Sequence, residues 1–462
     1  MNDSTPGVLL LSHCGYSFLE DLIGELRNRK LKCFVLSSLP LPEHVPQRLE
    51  QLNGQVDRLG STQRHELQRA DVDDFIDSLH HAGEKVVACI SVWEGYRHLM
   101  AYANRRLGVQ DLAWDHALGL RNKLAVRNRL ADAGLSAVRA VELTPVRLAQ
   151  LKLDDRRYFI KPIHGIASYA AFPLRGDTQW QALQNMRRAA RQDTVYASAF
   201  NGELTFMAEG YLAGQEFSFE VIMLAGEAYV VAIHEKCEVT EAADTVLENC
   251  CASPPPSLDT EQAAAGIDWI ARLADTLHLD WGCYHIEARF TAHGWDLIEV
   301  NPRLGGALIS HSVKAMTEGH SLVSLWLDLL LYGSGADADT RQAFETYLAK
   351  IAYRSDGVCP SELSTFFRVY FAEPGRLESV ELKKLSLEHS VAHVLLKAGD
   401  EVEAQTREVF LGQVMWQYAV ADQARNLALL AEQSHHAIEV RYARSKTREH
   451  TSAASAQPLT LA

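Results

Sequence analysis

The segment 282–303 alternates polar and apolar residues, a pattern typical of a β-hairpin with one polar face. With the turn in the middle of this segment, Glu287 lies directly opposite Glu299, and His285 lies opposite Asn301. Two carboxylates about 5 Å apart repel each other unless a proton or a cation lies between them. Two carboxylates and an amide are hard oxygen ligands, which suit Mg²⁺. The pattern therefore predicts a magnesium site, and an exposed sheet face with solvated acids is the alternative.

The same alternation divides the rest of the hairpin into a core face and a polar face. On the first strand, four residues are predicted to face the core: Tyr284, Ile286, Ala288 and Phe290. On the second strand, Ile298 and Val300 are predicted to face the core. Leu297 is predicted to lie on the polar side with Glu299 and Asn301.

The elements that must position this hairpin begin with an N-terminal α/β pattern. Short apolar runs at 7–12, from Cys33 onward and at 86–91 are typical of buried strands, and helix-like periodicity follows the first run. Strands that alternate with helices predict a doubly wound parallel sheet, which binds ligands beyond the carboxyl ends of its strands. We therefore predict an N-terminal α/β domain over 1–115.

The pattern changes twice in the middle of the chain. Continuous helical periodicity that ends at Gly134 predicts a linking helix region over 116–139. Short strands separated by turns then predict a small α/β module over 140–206. Longer alternating runs predict an antiparallel core over 207–340, which contains the hairpin.

The last part of the chain shows a mixed α/β pattern and then a polar tail. The mixed pattern predicts a small C-terminal α/β domain over 341–444. The segment 445–462 is rich in serine, threonine and alanine, and it is predicted to be a disordered tail.

Charge and composition exclude several classes of protein. The 462 residues include 45 lysines and arginines against 59 aspartates and glutamates, a net charge of −14. Such an acidic chain has no general attraction to nucleic acid or to an anionic membrane surface. The N-terminus does not resemble a signal peptide, and no apolar run is long enough to span a membrane. The eight scattered cysteines lack metal-site spacing, so we expect reduced thiols in a cytoplasmic protein.

Several motifs, taken in chain order, resemble the ATP-grasp superfamily. Lys123 in RNKLAVRNRL and Lys161 in YFIKP match the two lysines that contact ATP phosphates in that family. The stretch MAEGYLAGQEFSFE matches the family's adenine-binding hinge and ribose-binding acid. The resemblance implies these nucleotide-binding residues: Lys123, Lys161, His164, Ser168, Glu209, Gly210, Tyr211, Leu212 and Glu216.

The resemblance extends to the hairpin and to the reacting centre. The family's metal signature is an acid on one strand and an E-x-N pair on the next, which Glu287, Glu299 and Asn301 match. The motif NPRLGG implies that Arg303 lies at the reacting phosphate or carboxylate, where the planar fork of a guanidinium suits a carboxylate or an acyl phosphate. Arg303 and Lys161 are the implied catalytic residues. In this family 140–206 corresponds to a lid, 207–340 to the core and 341–444 to a closing domain.

The loop after the lid lysine departs from the glycine-rich form of many relatives. KPIHGIASYAAF contains only Gly165, with Ala167 and Ser168 in the loop, and this variant resembles L-amino-acid ligases. The backbone amides and the Ser168 hydroxyl can still cap a phosphate, although the loop is expected to be stiffer. His164 is placed to reach a phosphate, and a solvent-exposed loop histidine is the alternative.

The stretch IHEKCEVTEAADTVLENCCASPPP resembles the substrate pocket of dipeptide-forming carboxylate-amine ligases. Lys236 and Glu248 fit this branch, whereas Cys251 occupies the position where a histidine is usual. Glu94 falls where the branch places an acid near the substrate amine, and an acid favoured by a helix dipole is the alternative. With Arg303, these residues are the implied substrate-binding set.

The resemblance implies an ATP- and Mg²⁺-dependent ligase with two Mg²⁺ ions, for which Mn²⁺ can substitute. Its reaction is amide bond formation between an amino acid or similar carboxylate and an amine through an acyl phosphate, in dipeptide or antibiotic biosynthesis. The alternatives are a biotin-carboxylase-like or nucleotide-pathway ligase, or a non-catalytic ATP-binding regulatory protein. The expected partners are small molecules, without nucleic acid or membrane, and the resemblance implies a homodimer.

Overall fold

The fold is described from a computed structural model. The structure describes residues 5–15, 18–40, 45–193, 195–200, 202–241, 245–403 and 409–443, without the side chains of 45–47. The predicted disordered tail at 445–462 lies outside the described residues.

The N-terminal part of the chain forms a four-stranded sheet with helices between its strands. Its elements are β1 (Pro6–Ser12), α1 (Leu19–Asn28), β2 (Lys32–Ser37), α2 (Val45–Asn53), β3 (Arg58–Ser61), α3 (Arg69–His81), β4 (Lys85–Ile90), a 3-10 turn (Glu94–Tyr96) and α4 (Arg97–Leu107). The strand order is β3-β2-β1-β4, and every pair is parallel. The predicted doubly wound parallel sheet is thus confirmed. Strand β3 was not predicted, because its short sequence is partly exposed and lacks an apolar run.

Two helices, rather than one continuous helix, link this sheet to the next module. They are α5 (Trp114–Leu120) and α6 (Lys123–Asp132). The side-chain oxygen of Asn122 accepts a hydrogen bond from the Ala125 amide and caps the start of α6. The helix region between the two modules therefore consists of two helices, because the cap begins a new one.

The small α/β module contains a four-stranded antiparallel sheet. Its elements are β5 (Ala140–Glu142), α7 (Pro145–Leu151), β6 (Tyr158–Pro162), β7 (Phe172–Pro173), α8 (Trp180–Gln192) and β8 (Phe206–Gly210). The strand order is β5-β8-β6-β7. Because β8 pairs with both β5 and β6, this sheet extends to residue 210.

The rest of the chain is built around one eight-stranded sheet. Its first elements are β9 (Gln215–Leu224), β10 (Glu227–Glu241), β11 (Val246–Ser253), α9 (Thr260–Leu277), β12 (Gly282–Thr291), β13 (Gly294–Asn301), α10 (Ile309–Met316) and α11 (Leu322–Gly333). The later ones are α12 (Ala338–Ile351), β14 (Leu363–Ala372), β15 (Gly375–Leu382), β16 (Val391–Val394), β17 (Glu401–Val402), β18 (Val409–Ala419), α13 (Gln423–Gln433) and β19 (Ile438–Tyr442).

The large sheet joins the predicted core and the predicted C-terminal domain. Its strand order is β13-β12-β9-β10-β11-β14-β18-β16, and β11 pairs antiparallel with β14. Strands on both sides of residue 340 thus share one ladder. A separate three-stranded sheet is formed by β17, β15 and β19.

Apolar side chains cover both faces of the large sheet near the hairpin. On one face Phe219 and Ile286 pack in the same cluster as Trp269 of α9. On the other face Ile222 shares a cluster with Trp326 of α11 and with the N-terminal parallel sheet. Burial of large side chains on both faces holds β9 and β12 rigidly in register. Of the helices that the structure describes, none is long and apolar enough to cross a membrane.

Candidate active site

The hairpin formed by β12 and β13 has the predicted register. His285 is paired with Asn301, and Glu287 is paired with Glu299. The two acids that sequence spacing placed opposite each other are therefore neighbours on adjacent strands. Both acids also line two adjoining cavities beside the hairpin.

A β-bulge interrupts this register just beyond Glu287. As a result Leu297 packs in the apolar cluster with Val300, whereas Ile298 lines a cavity with Glu299. The predicted faces of Leu297 and Ile298 are therefore wrong. The extra residue of a bulge reverses the alternation of side chains on its strand, and composition gives no signal of it.

The first cavity collects the residues expected to bind a nucleotide. Its walls come from the small α/β module and from the large sheet. Among the predicted nucleotide-binding residues, those that line it are Lys123, Lys161, Ser168, Glu209, Gly210, Tyr211, Leu212 and Glu216. His164 does not line it. The expected set is thus brought together from elements that are far apart in the sequence.

Lys161 and Glu209 form an ion pair inside this cavity, because β6 and β8 are neighbouring strands. The Nζ of Lys161 lies 2.7 Å from a Glu209 oxygen and donates to the Ile298 carbonyl at 2.8 Å. Arg127 approaches the other oxygen of Glu209 at 2.8 Å. Burial opposes the charge on Glu209, yet Arg127 and Lys161 together lower its pKa. Burial lowers the pKa of Lys161, against the attraction of Glu209.

Lys123 connects helix α6 to the hairpin and to the loop after β6. It is the first residue of α6, and its Nζ lies 3.0 Å from Glu299 and 3.0 Å from the Gly165 carbonyl. Burial disfavours its charge, but Glu299 raises the pKa of Lys123 above its ordinary value. The Asn122 cap fixes where α6 begins and therefore where this ammonium lies.

The buried ammonium of Lys236 lies among three carboxylates. Its Nζ is 2.9 Å from Glu216 and 3.3 Å from Glu287, and it also contacts Glu248. Oxygens of these three acids lie within 4.8 Å of one another, which is the spacing of a metal-binding cluster. Despite its burial, the carboxylates raise the pKa of Lys236 well above its ordinary value. Burial raises the pKa of Glu248 to about 7, although Lys236 opposes this shift.

The acids that would hold a metal ion are balanced by these lysines. Glu287 contacts Lys236, and Glu299 contacts Lys123 and accepts a hydrogen bond from the Asn301 amide at 2.9 Å. Burial opposes their ionisation, but the neighbouring cations lower the pKa of both Glu287 and Glu299. Ionised carboxylates and an amide are the donor set that fits Mg²⁺.

His285 is a site residue to which no role was assigned from the sequence. Its Nδ1 lies 2.8 Å from Glu220 and its Nε2 lies 2.9 Å from Glu287. Burial disfavours protonation, but Glu220 and Glu287 raise the pKa of His285 to about 10. The protonated ring therefore donates to both acids. The missed signal was the alternation of Glu216, Ser218 and Glu220 on one face of β9.

Arg289 lines the first cavity beside Glu216 and Leu212. Its guanidinium lies 3.0 Å from Glu216 and donates to the Leu212 carbonyl at 2.6 Å. Its guanidinium carbon also lies 5.4 Å from the centre of the Tyr211 ring. Glu216, expected to bind ribose, is therefore already held between Arg289 and Lys236.

A second cavity of about 310 Å³ adjoins the first one. The residues that line both cavities are Ile166, Ser168, Val246, Glu248, Glu287 and Glu299. The acidic hairpin is therefore the wall between the two spaces. Cys251, which replaces the usual histidine of the resembling branch, is buried and lines the second cavity.

Glu94 and Arg303 meet in the second cavity across 209 positions of sequence. A guanidinium nitrogen of Arg303 lies 3.0 Å from the Glu94 carboxylate. Glu94 belongs to the 3-10 turn after β4, at the carboxyl end of the parallel sheet, and is buried. No side-chain cap forms at that turn or at the start of α4. The carboxylate is thus paired with Arg303, and Glu94 is also the first residue of the 3-10 turn.

Three residues of the predicted set line neither cavity: His164, Lys236 and Asn301. His164 is half-buried; burial, together with Arg121 and Lys123, lowers its pKa to about 4, so its ring is neutral. Lys236 lies behind the carboxylates that line the cavities. The loop itself adopts a left-handed backbone at Ala167 and Ser168, each with φ of 52°. Residues other than glycine are strained there.

Comparisons with known proteins agree with this architecture. Residues 157–311 match the family model of the ATP-grasp domain. The fold is similar to the crystal structure of an L-amino acid ligase from Bacillus licheniformis, with a TM-score of 0.69 and 15% identity, covering 96% of this chain and 100% of that chain. A search of curated proteins gave no match.

Two further solved structures have the same fold. Phosphoribosylglycinamide synthetase from Anaerococcus prevotii is similar with a TM-score of 0.63 and 10% identity, covering 95% of this chain and 100% of that chain. Biotin carboxylase from Campylobacter jejuni is similar with a TM-score of 0.62 and 11% identity, covering 94% and 92%. Residues 157–311 therefore match an ATP-grasp domain, and the described chain has the ATP-grasp fold that the sequence motifs predicted.

Proposed function

We propose that this chain is an ATP- and Mg²⁺-dependent ligase. Its reaction joins an amino acid or a similar carboxylate to an amine through an acyl phosphate and releases ADP and phosphate. The observation that carries this proposal is the pair of adjoining cavities with Glu248, Glu287 and Glu299 in their common wall. A nucleotide in one space and a carboxylate in the other meet at that wall.

In this proposal the first cavity binds ATP through the ionisable side chains that line it. Lys123 and Lys161 place two ammonium groups beside the acidic wall, where they neutralise phosphate oxygens. Glu287, Glu299 and Asn301 would hold Mg²⁺, which would supply positive charge to offset that of the phosphates. The backbone from Glu209 to Leu212 receives the adenine.

The chemistry requires an activated carboxylate, because an oxide ion is a poor leaving group. A carboxylate oxygen attacks the γ-phosphorus, and the bond to the bridging oxygen of ADP breaks. The amine then attacks the acyl carbon, phosphate leaves, and the nitrogen loses a proton. Arg303 stabilises the oxyanion, and Glu94 holds the amine. The lid excludes water that would hydrolyse the intermediate.

Lys236 has a supporting role in this proposal. It lines neither cavity, and its ammonium contacts Glu216, Glu248 and Glu287. It therefore holds the three carboxylates close together despite their mutual repulsion. Substrate contact, as the resemblance implied for Lys236, is not part of the proposal.

The test is phosphate release with ATP and Mg²⁺ over pairs of amino acids, followed by mass spectrometry of the product. A condensed product whose mass equals the two substrates less one water is the expected result. Phosphate release that depends on bicarbonate and needs no amine would replace the proposal with a carboxylase. ATP binding without any amine-dependent ADP release would favour a regulatory protein. The homodimer, the cytoplasmic location and a role in antibiotic biosynthesis stay predictions.

A further inference from the structure

The second cavity is lined by two chemically different sets of residues. The charged ones are Glu94, Glu248, His285, Glu287, Glu299 and Arg303. Each is already paired: Glu94 with Arg303, His285 with Glu287, Glu248 with Lys236, and Glu299 with Lys123. Most of the other described lining residues are apolar, and Ser168, Tyr196 and Cys251 are the exceptions that carry a hydroxyl or a thiol.

Strand β14 supplies three of the apolar residues that line the second cavity. Phe367, Val369 and Phe371 alternate along the strand and line the cavity. Phe366 and Tyr370 point the opposite way along the same strand and pack on the other face of the sheet, in the cluster that contains Trp416. The pleat of β14 therefore directs one stripe of apolar side chains into the cavity.

Other elements continue this apolar surface around the cavity. Trp93 follows β4, Ile309 begins α10, and Phe410 lies on β18. The rings of Phe371 and Phe410 are in contact, with centroids 5.2 Å apart. Phe410 is 40% exposed and lies at the open side of the cavity. An exposed aromatic residue that continues a buried apolar stripe is typical of a ligand-binding surface.

We propose that the second cavity selects an amino acid with an apolar side chain, which packs on the stripe formed by Phe367, Val369 and Phe371. This inference rests on the proposed function for the chemistry of the backbone groups, which the charged residues would bind. A side chain that packs on the stripe loses its water. A polar side chain there would be desolvated against apolar surface, while the charged lining groups are already paired with other side chains.

The discriminating comparison uses leucine and asparagine, whose side chains have nearly the same shape. Binding is measured by calorimetry with the full chain, Mg²⁺ and adenylyl imidodiphosphate. We expect leucine to bind at least about tenfold more tightly than asparagine, because the amide would be desolvated without a partner. Methionine against glutamine repeats the comparison with a longer side chain.

A hydroxyl placed on the stripe sharpens this test. Val369→Thr keeps the shape of the side chain, and we expect it to weaken leucine binding by about fivefold and to reduce the preference over asparagine. Val394→Thr is the matched control, because Val394 is 41% exposed on β16 and lines no cavity described here. Phe410→Ser is a second variant at the exposed edge, where loss of folding is not expected.

The outcomes separate this inference from the ligase proposal. Tighter binding of asparagine, binding of neither amino acid, or equal effects of Val369→Thr and Val394→Thr overturns the inference. Leucine binding without phosphate release in the presence of any amine rejects the proposed ligase and leaves the selectivity of the cavity established. Phosphate release with polar amino acids alone rejects the proposed selectivity of the cavity and supports the proposed ligase.

Discussion

The two adjoining cavities are built by different forces. In the first cavity, buried acids and bases from the small module, α6 and the hairpin are held in ion pairs such as Lys161 with Glu209 and Lys123 with Glu299. In the second, most of the surface is apolar and is set by packing of N-terminal and C-terminal elements. Ion pairs fix the positions of charged side chains in the first cavity, whereas apolar packing fixes the shape of the second cavity.

This difference predicts two kinds of sensitivity. Removal of one member of a buried ion pair leaves a charge without a partner, and its cost is large. A change of shape or polarity in an apolar wall changes affinity for one ligand relative to another. Variants in the first cavity should therefore affect turnover or folding, and variants in the second should mainly affect selectivity.

The largest effect is expected for Glu299→Ala. On the proposed function this change removes an acid from the common wall and should lower turnover by about a thousandfold, with the fold retained. Phosphate release measures turnover, and circular dichroism checks the fold. Glu318→Ala is the control, because Glu318 is an exposed acid whose partner is Lys350. A fully active Glu299→Ala enzyme would remove the metal assignment.

Lys236→Met tests whether ion pairing holds the acidic wall together. It removes a buried cation that three carboxylates share, and we expect the free energy of unfolding to fall by about 3 kcal/mol in urea titrations. Lys350→Met breaks an exposed pair with Glu318 and should cost much less, because solvent screens exposed ion pairs. Equal losses in the two variants would mean that the wall does not depend on Lys236.

The pH dependence of stability tests a contact beside the second cavity. His13 stacks on Trp93 with ring centroids 4.4 Å apart, and burial lowers the pKa of His13 from 6.5 to about 4. The unfolded chain therefore binds a proton that the folded chain does not, so stability is fully present above pH 6.5 and is lost as the pH falls toward 4.

At pH 5 the proton that only the unfolded chain binds at His13 should lower the free energy of unfolding by about 2 kcal/mol relative to pH 7. His13→Gln should therefore lose less stability between pH 7 and pH 5 than the unaltered chain, as measured by urea unfolding. His80→Gln, at an exposed position of α3, serves as the control. An unchanged acid sensitivity in His13→Gln would show that this ring is not kept neutral by its burial.

The smallest effect is expected for Glu94→Gln, which keeps the shape of the side chain and removes its charge. On the proposed function the substrate amine loses a charged partner, and kcat/KM should fall by about tenfold. The rate is measured as phosphate release at varied amine concentration. A change confined to ATP binding would place Glu94 with the first cavity instead of the second.

Local sequence was sufficient for the elements whose pattern is periodic. The apolar runs of the parallel sheet and the pairing of Glu287 with Glu299 both followed from alternation, because the pleat of a strand repeats every two residues. The motifs also grouped Lys123 and Lys161 correctly with the first cavity. Alternation gave no sign of the bulge at Ile298, since a bulge changes the register without changing composition.

The sequence by itself determined the chemistry of the acidic hairpin, because the residues that form it are close in the chain and their spacing fixes their faces. Only the tertiary structure decided that Arg303 meets Glu94, that Lys236 lies behind the acids, and that β14 lines the second cavity. These contacts join segments from opposite ends of the chain. They follow from the way whole sheets pack, which no local pattern records.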